Sequence, residues 1–185
     1  MVDIGIESAG KCCFTGYRPT KFPFKLRQDN INFQKFQNDL LEVILKLAAQ
    51  NCRTFYTGMA MGFDIIAAET VLSVQNAFER PLELICVLPF KQQSNNYPEV
   101  WKKRFQNVIG QSQDVIVLSE KYYAGCYHVR NRYMVDHSDY VITWYDGRPG
   151  GTKNTVDYAL KIGRQVFNVC DEDDVLAYQT KFEIL

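Results

Sequence analysis

Three glycine-bearing segments carry the residues best suited to binding an anion. They read Thr15-Gly16-Tyr17-Arg18, Thr57-Gly58-Met59-Ala60-Met61-Gly62 and Pro149-Gly150-Gly151-Thr152. Glycine lets a backbone approach a ligand closely, and the free N–H groups and positive dipole of a following helix attract an anion. Two of the segments run straight into predicted helices. They therefore predict a phosphate or nucleotide site, although any one of them alone could simply be a tight strand-to-helix turn.

Charged side chains accompany these segments. Asp64 lies in the first turn of a predicted helix, where its carboxylate could cap the helix or accept hydrogen bonds from a ribose or base. Arg18 and Arg130 could each clamp a phosphate, or form an ordinary surface ion pair. The residues predicted to bind the ligand are Thr15, Gly16, Arg18, Thr57, Gly58, Gly62, Asp64, Arg130, Gly150, Gly151, Thr152 and Thr155.

Other kinds of chemistry have weaker support. Neither the Gly-x-Gly-x-x-Gly nor the Walker motif is present, which argues against NAD binding and ATP hydrolysis. His128 has no serine nucleophile or adjacent acid to complete a triad, and Cys126 is a weaker candidate still. The six cysteines include no Cys-x-x-Cys pair and only two histidines are present, so no metal site and no cofactor is predicted.

The elements that would position these residues alternate along the chain. Helical periodicity predicts helices near 31–50, 63–78, 98–110, 129–136 and 155–162, and apolar runs predict strands near 11–15, 53–56, 82–88, 114–118, 140–144 and 165–169. Continuous apolar strands are typical of a parallel sheet covered on both faces. We therefore expect an α/β fold, a single Rossmann-like domain over residues 1–185, with a mostly parallel sheet and helices on both faces. Ligands of such sheets bind beyond the carboxyl ends of the strands, where the glycine segments would meet.

Composition limits the partners. The chain has 185 residues, 46% of them hydrophobic, with 21 Lys plus Arg against 21 Asp plus Glu. The absence of a basic excess argues against binding a phosphate backbone, so nucleic acid is not an expected partner. No apolar stretch approaches the roughly 20 residues that cross a bilayer, and no targeting segment is recognised. We expect a cytoplasmic protein without a membrane partner, and leave a homo-oligomer open.

The glycine segments, together with Phe63-Asp64 and Ala67-Ala68-Glu69, resemble the signature of the SLOG superfamily of Rossmann-like domains. From about Lys11 to Val169 the chain is most similar to the small bacterial YpsA-like proteins. The middle segment also resembles the Ser-Gly-x-Ala-x-Gly-x-Asp turn of the DNA-processing protein A branch, which binds single-stranded DNA. The resemblance implies a nucleotide-related ligand at the glycine segments.

The later region resembles the cytokinin-activating phosphoribohydrolase branch. There a Met-His-x-Arg-Lys helix precedes Pro-Gly-Gly-x-Gly-Thr-x-x-Glu, and the Arg and final Glu cleave a nucleoside monophosphate into base and ribose 5-phosphate. His128 and Arg130 fit the first motif. In the second, Tyr158 stands three residues after Thr155, where Glu is expected, and Asp157 is one residue out of register. Arg130 and Asp157 are thus weak catalytic candidates.

Three functions follow from these observations. The leading interpretation is a cytosolic protein that binds a nucleotide or nucleotide derivative, with a sensing or regulatory role. The alternative is a hydrolase of the N-glycosidic bond of a nucleoside monophosphate, in which Arg130 would hold the phosphate and Asp64 or Asp157 would stabilise the ribose cation. The third is a single-stranded nucleic-acid-binding module, which the zero net charge disfavours.

Overall fold

The computed structural model describes residues 9–170, in which six parallel strands form one sheet. The strands are β1 (Gly10–Gly16), β2 (Cys52–Thr57), β3 (Glu83–Leu88), β4 (Asp114–Val117), β5 (Tyr140–Trp144) and β6 (Gln165–Asn168). The helices are α1 (Ile31–Ala49), α2 (Phe63–Val74), α3 (Glu99–Gln111), α4 (Cys126–Asp136) and α5 (Gly151–Lys161). A short 3-10 turn covers Pro19–Lys21.

The strand order is β4-β3-β2-β1-β5-β6, and every neighbouring pair is parallel. The chain builds outward from β1 to β4 and then returns to the other side of β1 to add β5 and β6. Because such crossovers are right-handed, α1, α2 and α3 cover one face and α4 and α5 the other. The predicted Rossmann-like α/β fold is confirmed, and the direction of winding reverses between β1 and β5.

The core lies where the sequence pattern puts it. Cys12, Cys13 and Phe14 of β1 are fully buried, as a strand covered on both faces requires. The buried residues of α1 are Phe33, Phe36, Leu40, Ile44, Leu47 and Ala48. They recur at three- and four-residue steps and form an apolar stripe, which is the helical periodicity that predicts this helix. One domain over residues 1–185 stays a prediction, because residues 1–8 and 171–185 lie outside the described part. Within residues 9–170, no helix is long and apolar enough to cross a membrane.

Two helices begin earlier than the sequence pattern predicts. α4 begins at Cys126 instead of near 129, and α5 begins at Gly151 instead of near 155. A glycine with positive φ directly precedes each helix, Gly125 at 92° and Gly150 at 147°. These glycines are predicted to lie in loops, but this conformation, which suits glycine, lets each helix start immediately after it. Gly151 therefore lies in the first turn of α5.

Replacing Asn30 by alanine should lower the free energy of unfolding by about 1 kcal/mol. Its Oδ1 accepts a hydrogen bond from the backbone N–H of Phe33 at 3.1 Å and so caps α1. Urea unfolding followed by circular dichroism measures the change. Asn30→Asp keeps the acceptor and serves as the control. An alanine variant as stable as the wild type would show that the cap contributes nothing.

Candidate functional site

The carboxyl ends of β1, β2 and β5 bring the three glycine segments to one edge of the sheet. Gly16, the last residue of β1, is in register with Trp144 at the end of β5. The Thr152 hydroxyl donates to the Gly16 carbonyl at 3.1 Å, and the Phe63 N–H donates to the Tyr17 carbonyl at 3.0 Å. The segments are thus joined by direct hydrogen bonds. Their role in binding a ligand stays a prediction.

Three of the glycines are required by packing within this edge. A Cβ at Gly16 would clash with the Phe63 ring, and one at Gly58 would clash with the Arg130 guanidinium. At Gly62, φ is 94° and a Cβ would lie 2.5 Å from the Tyr17 carbonyl oxygen. The presence of these glycines is therefore explained without a ligand.

Packing does not explain Gly151, the second glycine of the Pro149-Gly150-Gly151-Thr152 segment. A Cβ at Gly151 would meet no atom within 4 Å, since open space lies beside it. Gly150 has φ of 147°, and a Cβ there would lie 2.8 Å from the Lys21 ammonium nitrogen. The edge of the sheet is therefore filled with protein atoms at β2 and open at the start of α5.

Arg130 is buried, with 4% of its surface exposed. Its Nη1 donates to the Gly58 carbonyl, its Nε donates to Asn131 Oδ1 at 2.7 Å, and Nη1 lies 3.8 Å from Asp64 Oδ2. Burial lowers the pKa of the guanidinium, and the Asp64 carboxylate opposes that shift. Arg130 is thus buried and takes no part in a surface ion pair, and its role in binding a phosphate stays a prediction. Cys126 and Met134, one helical turn before and after Arg130, are also buried. Their apolar side chains on the same face of α4 are the sequence signal that indicates the burial of Arg130.

Asp64 and Thr57 bind the protein's own backbone. Asp64 Oδ2 accepts from the Ala60 N–H at 3.3 Å. The Thr57 hydroxyl donates to the Asp64 carbonyl at 3.0 Å and accepts from the Met59 N–H at 3.2 Å. Burial raises the pKa of the Asp64 carboxyl to about 6, although Arg130 and the Ala60 N–H favour its charged form. Both side chains therefore shape the turn after β2.

Sequence reasoning missed two residues that hold this turn from outside. Gln93 Nε2 donates to the Gly58 carbonyl at 3.0 Å and to the Tyr97 hydroxyl at 2.9 Å, and Tyr97 donates to the Met59 carbonyl at 3.1 Å. Met59 has a positive φ of 56°, a conformation uncommon outside glycine. Both residues follow β3 at the same edge, so the rule that pointed to the glycine segments pointed here too. Only the folded chain shows that Gln93 is buried.

A second missed cluster joins the segment after β1 to the loop after β5. The Tyr17 hydroxyl donates to Asp146 Oδ1 at 2.5 Å, and Arg148 Nη2 lies 2.5 Å from Asp146 Oδ2. Burial and the hydrogen bond to Asp146 raise the pKa of Tyr17. Burial alone would raise the pKa of Asp146, but the hydrogen bonds from Arg148 and Tyr17 lower it. Arg148 Nη2 also donates to the Lys21 carbonyl at 2.6 Å, which places Lys21 beside the third glycine segment.

The remaining residues predicted to bind the ligand, Thr15, Arg18 and Thr155, lie outside the two clusters described above. Thr15 is buried, and Arg18 is exposed with its guanidinium carbon 5.8 Å from the Tyr127 ring centre. The Thr155 hydroxyl donates to the Gly151 carbonyl at 2.8 Å and accepts from Asn131 Nδ2 at 2.8 Å. Thr155 therefore supports the turn that begins α5.

The two catalytic candidates do not share a contact. Asp157 Oδ2 lies 2.5 Å from Lys153 Nζ on the exposed face of α5, whereas Arg130 is buried against Gly58. Counted from Pro149, the ninth position of the Pro-Gly-Gly-x-Gly-Thr-x-x-Glu motif is Asp157. Asp157 therefore stands at the position of the glutamate, and the one-residue offset predicted from Thr155 is wrong. Within residues 9–170, no three histidine, cysteine, aspartate or glutamate side chains are grouped so that they could hold a metal ion.

The parallel sheet and the glycine turns at the carboxyl ends of its strands define a Rossmann-like α/β protein. The turns lie around the place between β1 and β5 where the direction of winding reverses. The sequence profile of the YpsA family, described as the YspA SLOG family, matches residues 12–166. The chain belongs to this SLOG family, as its motifs predicted.

Relatives of the chain are bacterial. The SPbeta prophage-derived protein YoqJ of Bacillus subtilis is 30% identical over 155 residues, which cover 76% of this chain and 90% of that protein. A UPF0398 protein of Bacillus cereus is 23% identical over 152 residues, which cover 80% of this chain and 82% of that protein. Both therefore match most of their length.

Two solved structures share the fold. DNA processing protein A from Helicobacter pylori aligns with a TM-score of 0.57 and 22% identity over 86% of this chain and 64% of that one. The Streptococcus pneumoniae protein aligns with a TM-score of 0.58 and 21% identity over 86% of this chain and 50% of that one. The chain thus spans only part of each, and the likeness concerns the fold.

These structures correct one expectation. The prediction that nucleic acid is an unlikely partner, drawn from a net charge of zero, is wrong. The Helicobacter pylori protein, which has this fold, binds single-stranded DNA. Net charge is a sum over the whole chain, whereas single-stranded DNA is bound by local basic and aromatic groups. The charge balance therefore does not exclude such a ligand.

Gly58→Ala should lower the free energy of unfolding by about 1–3 kcal/mol, because its Cβ would meet the Arg130 guanidinium. Gly151→Ala is the matched control and should stay within about 0.5 kcal/mol of the wild type, because its Cβ enters open space. Chemical denaturation measures both. Equal stability of the two variants would contradict the close packing of Arg130 on Gly58.

Asp64 should make the protein less stable as the pH rises from about 4 to about 6. Burial raises the pKa of its carboxyl from 3.8 to about 6, so the folded protein keeps a proton in this interval that the unfolded chain has released. The loss amounts to about 3 kcal/mol. The charged groups that act on Asp64 are the guanidinium groups of Arg130 and Arg18.

Unfolding free energies of the wild type and Asp64→Asn, measured across this pH interval, test the point. The stability of the wild type relative to the variant should fall as the pH rises. A difference that is constant with pH, or that grows, would show that the carboxyl is already ionised near pH 4.

Proposed function

We propose that this protein binds a small phosphate-bearing molecule of the nucleotide type at the start of α5, and that it acts through binding. The observation that carries the proposal is the open space at Gly151, where a Cβ would meet no atom within 4 Å. This position lies beside the reversal of winding between β1 and β5, which is where open α/β sheets bind their ligands.

The start of α5 offers an environment suited to an anion. Its cap residue, Gly150, provides no side-chain hydrogen bond, and its first turn contains no acid. The start of α2 differs, because Asp64 lies in its first turn and the N–H of Phe63 already donates to the Tyr17 carbonyl. The dipole and N–H groups of α5 are therefore the better candidates for a phosphate.

One basic side chain stands beside this turn, because Lys21 Nζ lies 3.5 Å from the Pro149 carbonyl oxygen. Arg18 is exposed two residues after the end of β1. Arg148 is committed to Asp146. Lys21 is thus a cation that would neutralise a phosphate here, and Arg18 follows β1 at the same edge of the sheet.

The arrangement favours binding over cleavage of a glycosidic bond. Hydrolysis needs a carboxylate that stabilises the ribose cation while the phosphate is held. Asp157 is paired with Lys153 on the exposed face of α5, and Asp64 is bonded to its own turn. We therefore infer a sensing or regulatory role, exercised in the cytoplasm.

Single-stranded DNA is the second candidate ligand. It is favoured by the fold shared with the Helicobacter pylori protein, which binds such DNA. Single-stranded DNA contains the same phosphate and sugar units as a free nucleotide, so the turn at the start of α5 could bind one nucleotide of the DNA. Binding of a strand would increase with oligonucleotide length and weaken steeply with salt, because each phosphate contact releases counterions.

A nucleotide that binds the folded protein should raise its melting temperature in a concentration-dependent way, and Gly151→Val should abolish the increase. The Cβ of the valine would enter open space at this position. Gly110→Val is the matched control, because a Cβ at Gly110 also meets no atom within 4 Å and the residue lies near the end of α3, at the opposite edge of the sheet.

Thermal unfolding with a panel of nucleoside mono- and diphosphates, and with oligodeoxynucleotides of increasing length, gives the measurement. Stabilisation by oligonucleotides alone, growing with length, would favour the second candidate. A panel without any effect on the wild type, or an equal effect on the two valine variants, would contradict the proposed site.

A further inference from the structure

Two cations lie against the ring of Tyr17, close to the start of α5. The Lys21 ammonium nitrogen is 5.4 Å from the centre of the ring, and the Arg148 guanidinium carbon is 5.2 Å from it. The ring itself is fixed, because Tyr17 is 2% exposed and packs against Trp144 with 5.3 Å between the ring centres. It therefore gives both cations a rigid surface.

Asp146 neutralises only one of the two cations. Its Oδ2 accepts from Arg148 Nε at 2.8 Å and from Arg148 Nη2 at 2.5 Å, and its Oδ1 accepts from the Tyr17 hydroxyl at 2.5 Å. Asp146 is buried, so the carboxylate of this pair is shielded from water. Within residues 9–170, Lys21 makes no ion pair. The charge of Lys21 therefore has no internal counter-ion in this part of the chain.

Arg148 also fixes the backbone of Lys21. Its Nη2 donates to the Lys21 carbonyl at 2.6 Å, although the two residues are 127 positions apart. The Lys21 N–H donates to the Arg18 carbonyl at 2.9 Å, within the short 3-10 turn. Both backbone groups of Lys21 are thus bonded, and the bond from Arg148 ties this turn to the loop after β5.

The Lys21 side chain extends from this fixed backbone to the turn at Gly150. Its ammonium donates to the Pro149 carbonyl at 3.5 Å, and a Cβ at Gly150 would lie 2.8 Å from the nitrogen. A lysine on a protein surface samples many rotamers, and ordering it on binding costs free energy. Here the Tyr17 ring and the Pro149 carbonyl restrict the side chain before a ligand binds.

We propose that Arg148 is a positioning residue for an anion at the start of α5. It holds Lys21 over the Tyr17 ring, so that the ammonium lies beside Gly150 before a ligand binds. Asp146 cancels the charge of Arg148 itself, so Arg148 acts through Lys21 and does not contact the ligand. This inference rests on the phosphate site of the proposed function and adds the residue that prepares it.

Arg148→Lys tests the positioning without a ligand. The variant keeps the positive charge beside Asp146, but a single ammonium does not reproduce the planar fork that joins Asp146 to the Lys21 carbonyl. In the wild type, the ring current of Tyr17 should shift the NMR signals of the Lys21 side-chain methylene protons upfield. We expect this shift to be lost in Arg148→Lys and kept in Arg80→Lys, because Arg80 is exposed on the connection between α2 and β3. A shift that persists in Arg148→Lys would overturn the proposal.

Calorimetric titration with inorganic pyrophosphate measures the effect on binding. Arg148→Lys should weaken binding by roughly two- to tenfold, which is the effect of ordering one flexible side chain. Lys21→Gln should weaken it at least as much, because it removes the charge itself. In the Lys21→Gln background, Arg148→Lys should have no additional effect. An equal loss in both backgrounds would show that Arg148 contacts the anion directly, and would overturn the positioning role.

The two measurements separate this inference from the proposed function, and the spectra also show whether each variant is folded. Binding to the wild type that Arg148→Lys does not weaken would support the phosphate site and overturn the positioning role. Loss of the upfield shift in Arg148→Lys, with no binding of pyrophosphate to the wild type at millimolar concentration, would support the hold of Arg148 on Lys21 and overturn the phosphate site.

Discussion

A buried arginine determines the arrangement of the residues at the carboxyl ends of the strands. Removing a guanidinium from water is costly unless its N–H groups find partners. Arg130 finds them in the Gly58 carbonyl and Asn131 Oδ1, with the Asp64 carboxylate close by. Each partner is fixed as a consequence. Residue 58 has no room for a side chain, Asp64 is buried with it, and Asn131 is turned so that its other end meets Thr155.

This constraint divides the edge into a filled part and an open part. The turn after β2 is bonded by Thr57 and Asp64 from within and by Gln93 from outside. Its glycines are accounted for by packing, so they carry little information about a ligand. At the start of α5 the same residue type faces open space. The turns after β2 and β5 both lead into helices, as an anion site requires. A functional inference nevertheless depends on the Gly150-Gly151 segment, because only this turn has open space beside a glycine.

Local patterns predicted the fold because each element carries its own signal. The apolar stripe of α1 and the continuous apolar strands needed no knowledge of distant residues. The site depends on contacts across long separations, such as Arg130 with Gly58, 72 residues apart, and Tyr17 with Asp146, 129 residues apart. No local pattern encodes such a pairing. The segments at the edge could therefore be predicted, but which side chains face a ligand and which face the protein could not.

Asp157 shows how a motif position differs from a site. Counted from Pro149, it takes the place of the glutamate in the phosphoribohydrolase motif, and it keeps a carboxylate there. Cleavage requires that carboxylate and a phosphate-holding arginine to reach the same ribose phosphate. In this chain Arg130 is turned inward onto Gly58, and the shorter Asp157 side chain is turned outward to Lys153. Arg130 and Asp157 therefore do not converge on one ribose phosphate, and this separation is the geometric support for proposing a role in binding.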